Sequence, residues 1–235
     1  MNMDISVYMP VYNGSEFIKR CIDSVLSSEF DGTFEFIIVD DGSEDNTVEL
    51  IKEYNDERIK LFKLSHVGIV DASNYGLEQC SGKYIARIDA DDTMEKNRLQ
   101  KQFDFLESHL EYGMCHCGCL IQYKNLSFNY LPKDFEITFV GLMMNVAMVH
   151  SCIMYRRDLG LRYDKEFEWA EDKKMYMEAS YNGVKIYNIK DVLCTKYMQP
   201  KSIGVTKSKQ VHMSNLKARK HFRDQINKAR KASKK

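Results

Sequence analysis

Two apolar runs in the first half of the chain end abruptly in carboxylates. Phe34 to Val39 (FEFIIV) runs into Asp40-Asp41-Gly42-Ser43, and Lys83 to Ile88 runs into Asp89-Ala90-Asp91-Asp92. Short continuous apolar runs of this kind suit strands buried on both faces of a parallel sheet. The neighbouring segments support that reading. Ile5 to Met9 reads as a first strand ending at Pro10, and Ile59 to Phe62 as a third. Ser15 to Ser28 carries Ile18, Ile22, Val25 and Leu26 on one helical face. Asp45 or Asn46 can cap a second helix bearing Val48, Leu50, Ile51 and Tyr54, and Val70 to Cys80 forms a third. A βαβαβαβ order implies a parallel sheet with right-handed crossovers. Ligands of such sheets bind at the carboxyl ends of the strands, where both acid clusters fall.

The second half is less regular. The spacing predicts a helix over 96–108, strands over 114–123 and 151–155, and a helix over 171–181. Two strands, over 185–189 and 192–197, and a helix from about 211 complete the pattern. There is no internal repeat or linker, so residues 1–205 read as one domain and 206–235 as a basic helical tail. The 235-residue chain is electrically neutral, with 34 basic and 34 acidic side chains, which argues against a nucleic-acid binder. The neutrality conceals an asymmetry. Thr206 to Lys235 holds eleven Lys or Arg and one acid, Asp224, so the tail carries about +10 and the rest about −10. With its thin apolar stripe, Phe222, Ile226 and Ala229, the tail is a solvated helix or one that docks on an anionic membrane surface.

No secretory signal is visible, and seven cysteines without a regular framework suit a reducing cytoplasm. Ile137 to Tyr155 has no charged residue, but Thr138, Gly141, Asn145, His150 and Ser151 dilute it. It reads as a buried helix followed by a strand rather than a membrane span. Cys115-His116-Cys117-Gly118-Cys119 reads as a buried strand with its cysteines on one face. Zinc sites prefer Cys pairs with two to four residues between them, and no second pair is obvious.

Three carboxylates within Asp89–Asp92 are costly to bury together without a cation. Oxygen-rich sites of this kind take Mg²⁺ or Mn²⁺, often with phosphate oxygens. Read alone, the cluster is equally a solvated acidic turn. Asp40-Asp41 can accept from a ribose hydroxyl or a base N–H, or simply form a capped turn. No Gly-rich P-loop and no G-x-G-x-x-G follows a strand, so nucleoside triphosphatases and dinucleotide enzymes lack their fingerprints. A nucleotidyltransferase would need a basic Gly-rich loop after the first strand, where Asn13-Gly14-Ser15-Glu16 stands.

Pro10-Val11-Tyr12-Asn13, Val39 to Thr47, Asn74 to Leu77 and Gly82 to Asp92, in this order and spacing, resemble the family 2 glycosyltransferases. His150-Ser151, Arg156-Arg157 and Glu171-Asp172 extend the match to about residue 182. The resemblance implies a GT-A fold, an α/β architecture with a mostly parallel central sheet flanked by helices. It also implies a UDP-sugar donor, Mn²⁺ or Mg²⁺, and inversion at the anomeric carbon. On the matching positions, Pro10, Tyr12 and Asn13 would line the base, with Tyr12 stacking on uracil. Asp41 would accept from the base N–H and Asp40 would shape the pocket. Asp89 would face the ribose or metal, Asp91 would be the main metal ligand, and Ala90 and Asp92 would lie against the donor, as would His150. Asp172 would be the catalytic base, and Glu171 would position acceptor or sugar. Trp169, just before this pair, is either a sugar-facing ring or a core residue.

The implied acceptor is a glycan or lipid-linked hydroxyl, and the implied setting is cell-surface polysaccharide synthesis at the cytoplasmic membrane face. Three departures stand out. Ala72-Ser73-Asn74 replaces the usual Ala-Arg-Asn, Lys96 replaces a proline, and no Arg and His follow the last strand. Lys196 or Lys201 is left to grip the diphosphate. Those losses keep open a non-catalytic UDP-sugar-binding module as the alternative.

Overall fold

A computed structural model describes residues 3–144, 146–198 and 206–232. Its centre is one mixed sheet. Strands β1 (Ile5–Val11), β2 (Phe34–Asp40), β3 (Ile59–Lys63) and β4 (Tyr84–Arg87) form its parallel half. The other half uses β5 (Thr93–Met94), β6 (Tyr112–Tyr123), β9 (Ile153–Arg156) and β10 (Lys185–Tyr197). The order is β3-β2-β1-β4-β9-β6-β10-β5, with β7 (Leu126–Tyr130) beside β6 and β8 (Phe135–Ile137) beside β10. β9 runs against both β4 and β6, and β10 runs parallel to β6. Six of the eight strands on the main path therefore point the same way, as the sequence pattern requires.

Side-chain alternation along the strands divides the core between the two faces. Val7, Met9, Phe36 and Ile38 lie on one face with Ile18 and Ile22 of α1 (Ile18–Leu26), Ile51 of α2 (Thr47–Lys52) and Leu99 of α4 (Arg98–Ser108). Tyr8, Ile37 and Val39 lie on the other, with Val70 and Leu77 of α3 (Ile69–Gln79) and Met175 of α6 (Glu171–Tyr181).

Pro10 does not end β1. The strand continues to Val11, with Pro10 opposite Val39. The β4 ladder stops at Tyr8 and Arg87. Tyr8 O accepts from Ile88 N on that side, so by strand alternation the missing Pro10 N–H falls where β4 has already turned away. The two strands expected over 185–197 are one strand, β10. Its register against β6 shifts between Ile189 and Val192, so a bulge at the polar Lys190-Asp191 pair interrupts the alternation without ending the strand. The uncharged segment 137–155 contains α5 (Phe139–Met143), a single 3-10 turn at His150–Cys152 and then β9, the helix-then-strand expected of it. Among the described residues no helix is long and apolar enough to cross a membrane.

The basic tail forms α7 (Ser208–Ala232) and packs on the domain. Ala218 and Phe222 are buried, and the Phe222 ring lies 5.7 Å from Phe139 and 5.6 Å from Tyr181. Ser214 Oγ donates to the Glu168 carbonyl at 2.7 Å. The stripe is thus partly spent on the protein itself, while Lys217, Lys220, Arg223, Lys228 and Lys231 stay exposed.

Candidate active site

The carboxyl ends of β1, β2 and β4 lie side by side, so their loops meet. Asn13 sits at φ +50°, a region Asn tolerates better than most side chains. Its N–H donates to Ser43 Oγ at 2.9 Å and its side-chain oxygen accepts from Glu44 N at 2.8 Å. Gly14 N donates to Thr47 Oγ1 and Ser15 N to Asp45 Oδ2. The first loop is thereby tied to the second. Asp45 also accepts from Thr47 N, so Asp45 rather than Asn46 caps α2.

The two acids at the end of β2 are used differently. Asp41 Oδ1 accepts from Val67 N at 2.7 Å and Oδ2 from Gly68 N at 2.9 Å. Those contacts fix the loop before α3, and His66 on that loop lies 4.2 Å, centroid to centroid, from the exposed Tyr12 ring. Asp40 is fully buried. Its Oδ2 accepts from Ser43 N, and its Oδ1 has no hydrogen-bond partner. That oxygen is enclosed by the protein and out of reach of a ligand.

The turn after β4 is held by groups far away in sequence. Ser151 Oγ accepts from Asp89 N at 3.0 Å and donates to Asp92 Oδ2 at 2.5 Å. Tyr197 N donates to Asp92 Oδ1 at 3.1 Å. Asp92 is therefore wholly buried and satisfied through both oxygens. Arg87 Nη2 pairs with Asp89 Oδ1 at 2.7 Å. Lys196 Nζ stands 3.9 Å from Asp89 and 3.7 Å from Asp92. Asp91 is anchored through its backbone, whose carbonyl accepts from Arg20 at 2.8 Å, and Ala90 sits between the acids in the turn.

One oxygen from each of Asp89, Asp91 and Asp92 lies within 4.8 Å of the others. Burial alone would push Asp89 up, but Arg87 and Lys196 overcome it and hold the carboxyl down at about 2. Burial pushes Asp92 up to about 7, and Asp89 and Asp91 add to it against Lys196. Burial and the Asp89 charge also raise Asp91. An all-oxygen donor set with mutually repelling charge fits Mg²⁺ or Mn²⁺.

Arg87 was not among the residues suggested by sequence, though a charge inside an apolar strand signals a partner. Breaking a buried ion pair costs about 3–5 kcal/mol. We expect Arg87→Met to lower stability by roughly that amount in urea unfolding. Added Mn²⁺ should restore part of the loss, because it would replace the positive charge beside Asp89.

Across from this turn stands the first turn of α6. Asp172 Oδ1 accepts from Lys173 N at 2.5 Å. Burial raises Asp172, the Asp89 charge adds to the rise, and Lys196 opposes it. The two acid groups are thus close enough to act on each other. Burial and the Asp172 charge push Glu171 up to about 7, and its buried Oε2 has no hydrogen-bond partner. Both acids line a cavity of about 250 Å³ with Met148, Trp169, Val211 and Asn215. Trp169, at φ +73°, thus faces a cavity, and α7 contributes two of its walls.

His150 lies behind this cleft. Its Nδ1 is bonded to the Tyr176 hydroxyl and its Nε2 to that of Tyr163 at 2.8 Å, while Tyr163 in turn bonds Tyr8. Burial and the Arg87 charge drive the imidazole down to about 3, so it stays neutral. Of the two lysines suggested for the diphosphate, Lys196 faces the acid turn, and Lys201 lies outside the described residues.

The sequence profile described as "Glycosyl transferase family 2" matches residues 6–160, about two thirds of the chain. The chain belongs to glycosyltransferase family 2. EpsE of Bacillus subtilis (strain 168), which carries a glycosyltransferase name, is 30% identical over 201 residues, 80% of this chain and 71% of that protein. Chondroitin synthase of Escherichia coli is 35% identical over 102 residues, 43% of this chain but 15% of its own length. The fold is GT-A. Staphylococcus aureus TarS 1–349 in complex with UDP-GlcNAc superposes with a TM-score of 0.74 at 23% identity, over 85% of this chain and 60% of that one. The mannosyltransferase PcManGT of Pyrobaculum calidifontis, in complex with GDP-Man and Mn²⁺, gives 0.66 at 18% identity, over 86% and 59%. The chain spans about three fifths of the length of these solved structures.

Proposed function

We propose that this family 2 glycosyltransferase moves a sugar from a UDP-sugar to a hydroxyl of a glycan or lipid-linked acceptor, with inversion and with a divalent metal. The observation that carries this reading is the carboxylate turn after β4, where one oxygen from each of Asp89, Asp91 and Asp92 lies within 4.8 Å of the others and Lys196 stands beside them. The raising effect of the Asp89 charge on Asp172 supports a proton acceptor facing that turn. Asp89 and Asp91 would hold the metal, which when bound supplies positive charge to the leaving diphosphate. Lys196 adds a fixed positive charge at the same turn. Asp172 takes the acceptor proton as that oxygen forms its bond to the anomeric carbon, and the bond to the diphosphate breaks on the opposite face.

The base pocket is formed by Pro10, Tyr12, Asn13 and the acids of β2. Asp41, whose oxygens each take one N–H of the 67–68 backbone and keep a lone pair, is the acceptor for a base N–H, and the fully buried Asp40 shapes the pocket from behind. Asp92 and His150 act from behind as positioning residues. The deciding experiment is a thermal-shift panel of UDP-, GDP-, CDP- and dTDP-sugars with and without Mn²⁺. A ligand bound only by the native state raises Tm, by about 2.7 kcal/mol of stability at a hundredfold excess over Kd. We expect a metal-dependent rise for one UDP-sugar. A rise with GDP-sugars alone would reassign the donor.

The exposed cations of α7 support contact with an anionic membrane surface. Reversing Lys220, Arg223 and Lys228 to Glu should abolish low-salt co-sedimentation with phosphatidylserine vesicles while leaving Tm in place. Unchanged co-sedimentation would remove this part of the proposal.

A further inference from the structure

The cysteines of β6 acquire partners that no sequence spacing indicates. Cys117, Cys152 and Cys194 come from β6, from the turn before β9 and from β10, three segments adjacent in the sheet. Their sulfurs all lie within 4.8 Å of one another, with Cys117 and Cys194 at 4.0 Å. All three residues are buried. Zn–S bonds of about 2.3 Å spread around one ion set neighbouring sulfurs at about 4 Å, so little movement is needed to enclose one.

A second, independent observation concerns Arg98. This guanidinium is completely buried, yet it pairs with no carboxylate among the described residues. It donates to Gln102, to the Arg87 and Ile153 carbonyls and to Met94 sulfur. The anion-forming groups around it are the thiols of Cys194, Cys117, Cys152 and Cys115, and burial keeps Cys115, Cys117 and Cys152 protonated until a cation displaces the proton. A buried charge held only by neutral acceptors is expensive, so a fold that keeps one has a use for a counter-charge nearby.

We propose that Cys117, Cys152 and Cys194 form a buried thiolate site for a soft divalent cation of the Zn²⁺ class, separate from the carboxylate site. Three thiolates against one divalent cation and one guanidinium are electrically balanced. Copper(I) would leave a negative charge over. The Ser151 carbonyl, 3.1 Å from Cys194 Sγ, is a neutral oxygen placed to complete four-coordination. On binding, each of the three S–H groups gives its proton to solvent and forms one sulfur–metal bond. Ser151 also bonds Asp92 and the Asp89 N–H, so a metal here would brace the donor turn from below.

The test uses reduced protein, refolded without oxygen in the presence of Cd²⁺ or Zn²⁺ alone. We expect one thiolate-bound Cd²⁺ per chain, an ultraviolet thiolate-to-cadmium charge-transfer band and a higher Tm. The band should vanish in Cys152→Ala and Cys194→Ala. It should persist in Asp91→Asn, which alters only the oxygen site, and in Cys80→Ala, at the end of α3. A folded wild type with no band, or a band that survives Cys152→Ala, overturns the proposal. Should the Ala variants not fold, X-ray absorption on the wild-type zinc protein decides. About three sulfurs at about 2.3 Å support the site, and an all-oxygen shell overturns it.

Discussion

Replacing Asp91 by Asn should abolish metal-dependent sugar transfer while leaving the fold intact. Asp89 is paired with Arg87, and Asp92 is bonded through both oxygens to Ser151 and Tyr197. Asp91 is the acid of the turn whose carboxylate is not committed to holding the protein together. Its raised pKa, caused by burial and by Asp89, means that its charge opposes the fold until a cation arrives. Removing that charge should therefore be neutral or mildly stabilising without metal. Transfer should fall on the order of 100- to 1,000-fold, the usual cost of removing one group that stabilises transition-state charge. Initial rates at saturating Mn²⁺ and the Tm of both proteins check the two halves. Transfer that stays metal-dependent at the wild-type rate would exclude Asp91 as a ligand. Asp92→Asn should behave differently. It swaps a buried acceptor for an amide that cannot accept from both Ser151 and Tyr197, so Tm should change along with rate.

The difference between these two acids shows what could be read from sequence. The turn after β4 was legible because its three carboxylates are adjacent in the chain and end an apolar run. The parallel half of the sheet was legible for a related reason, since each strand and helix carries its own period. What holds the turn was not legible. Ser151, Tyr197 and Lys196 reach it from about 60 to 105 positions away, and only the pairing of β9 and β10 into the sheet brings them there. His150 illustrates the same limit. The resemblance placed it near the cleft, yet both ring nitrogens are occupied by tyrosines from other segments. The division of β10 into two strands failed locally. Lys190-Asp191 looks like a turn, but Lys190 N bonds Asp134 and Asp191 pairs with Lys101, so the polar pair is accommodated as a bulge.

Asp172→Asn should reduce transfer by about 10²- to 10⁴-fold, the range for loss of a general base. Glu171→Gln should reduce it far less, and donor binding should survive in both. The two acids also titrate differently, which separates their roles more sharply than the point mutations alone. A base must be ionised to act, so the rate falls as pH drops through its pKa. Burial raises both groups, but Glu171 stands at about 7 and owes part of that to the Asp172 charge. The repulsion between the two is mutual, but Glu171, pushed up to about 7, is still protonated while the less strongly raised Asp172 titrates, so it lays no charge on Asp172. If Asp172 is the base, Glu171→Gln should leave the acid limb of the pH–rate profile where it was in the wild type. If Glu171 is the base, the wild-type limb lies near pH 7 and Glu171→Gln abolishes transfer. Asp172→Asn would then keep activity and move the limb to lower pH, because the neighbouring negative charge is gone. A profile of kcat/KM over pH 4–9 for the three proteins separates the two assignments, whichever sugar the cleft accepts.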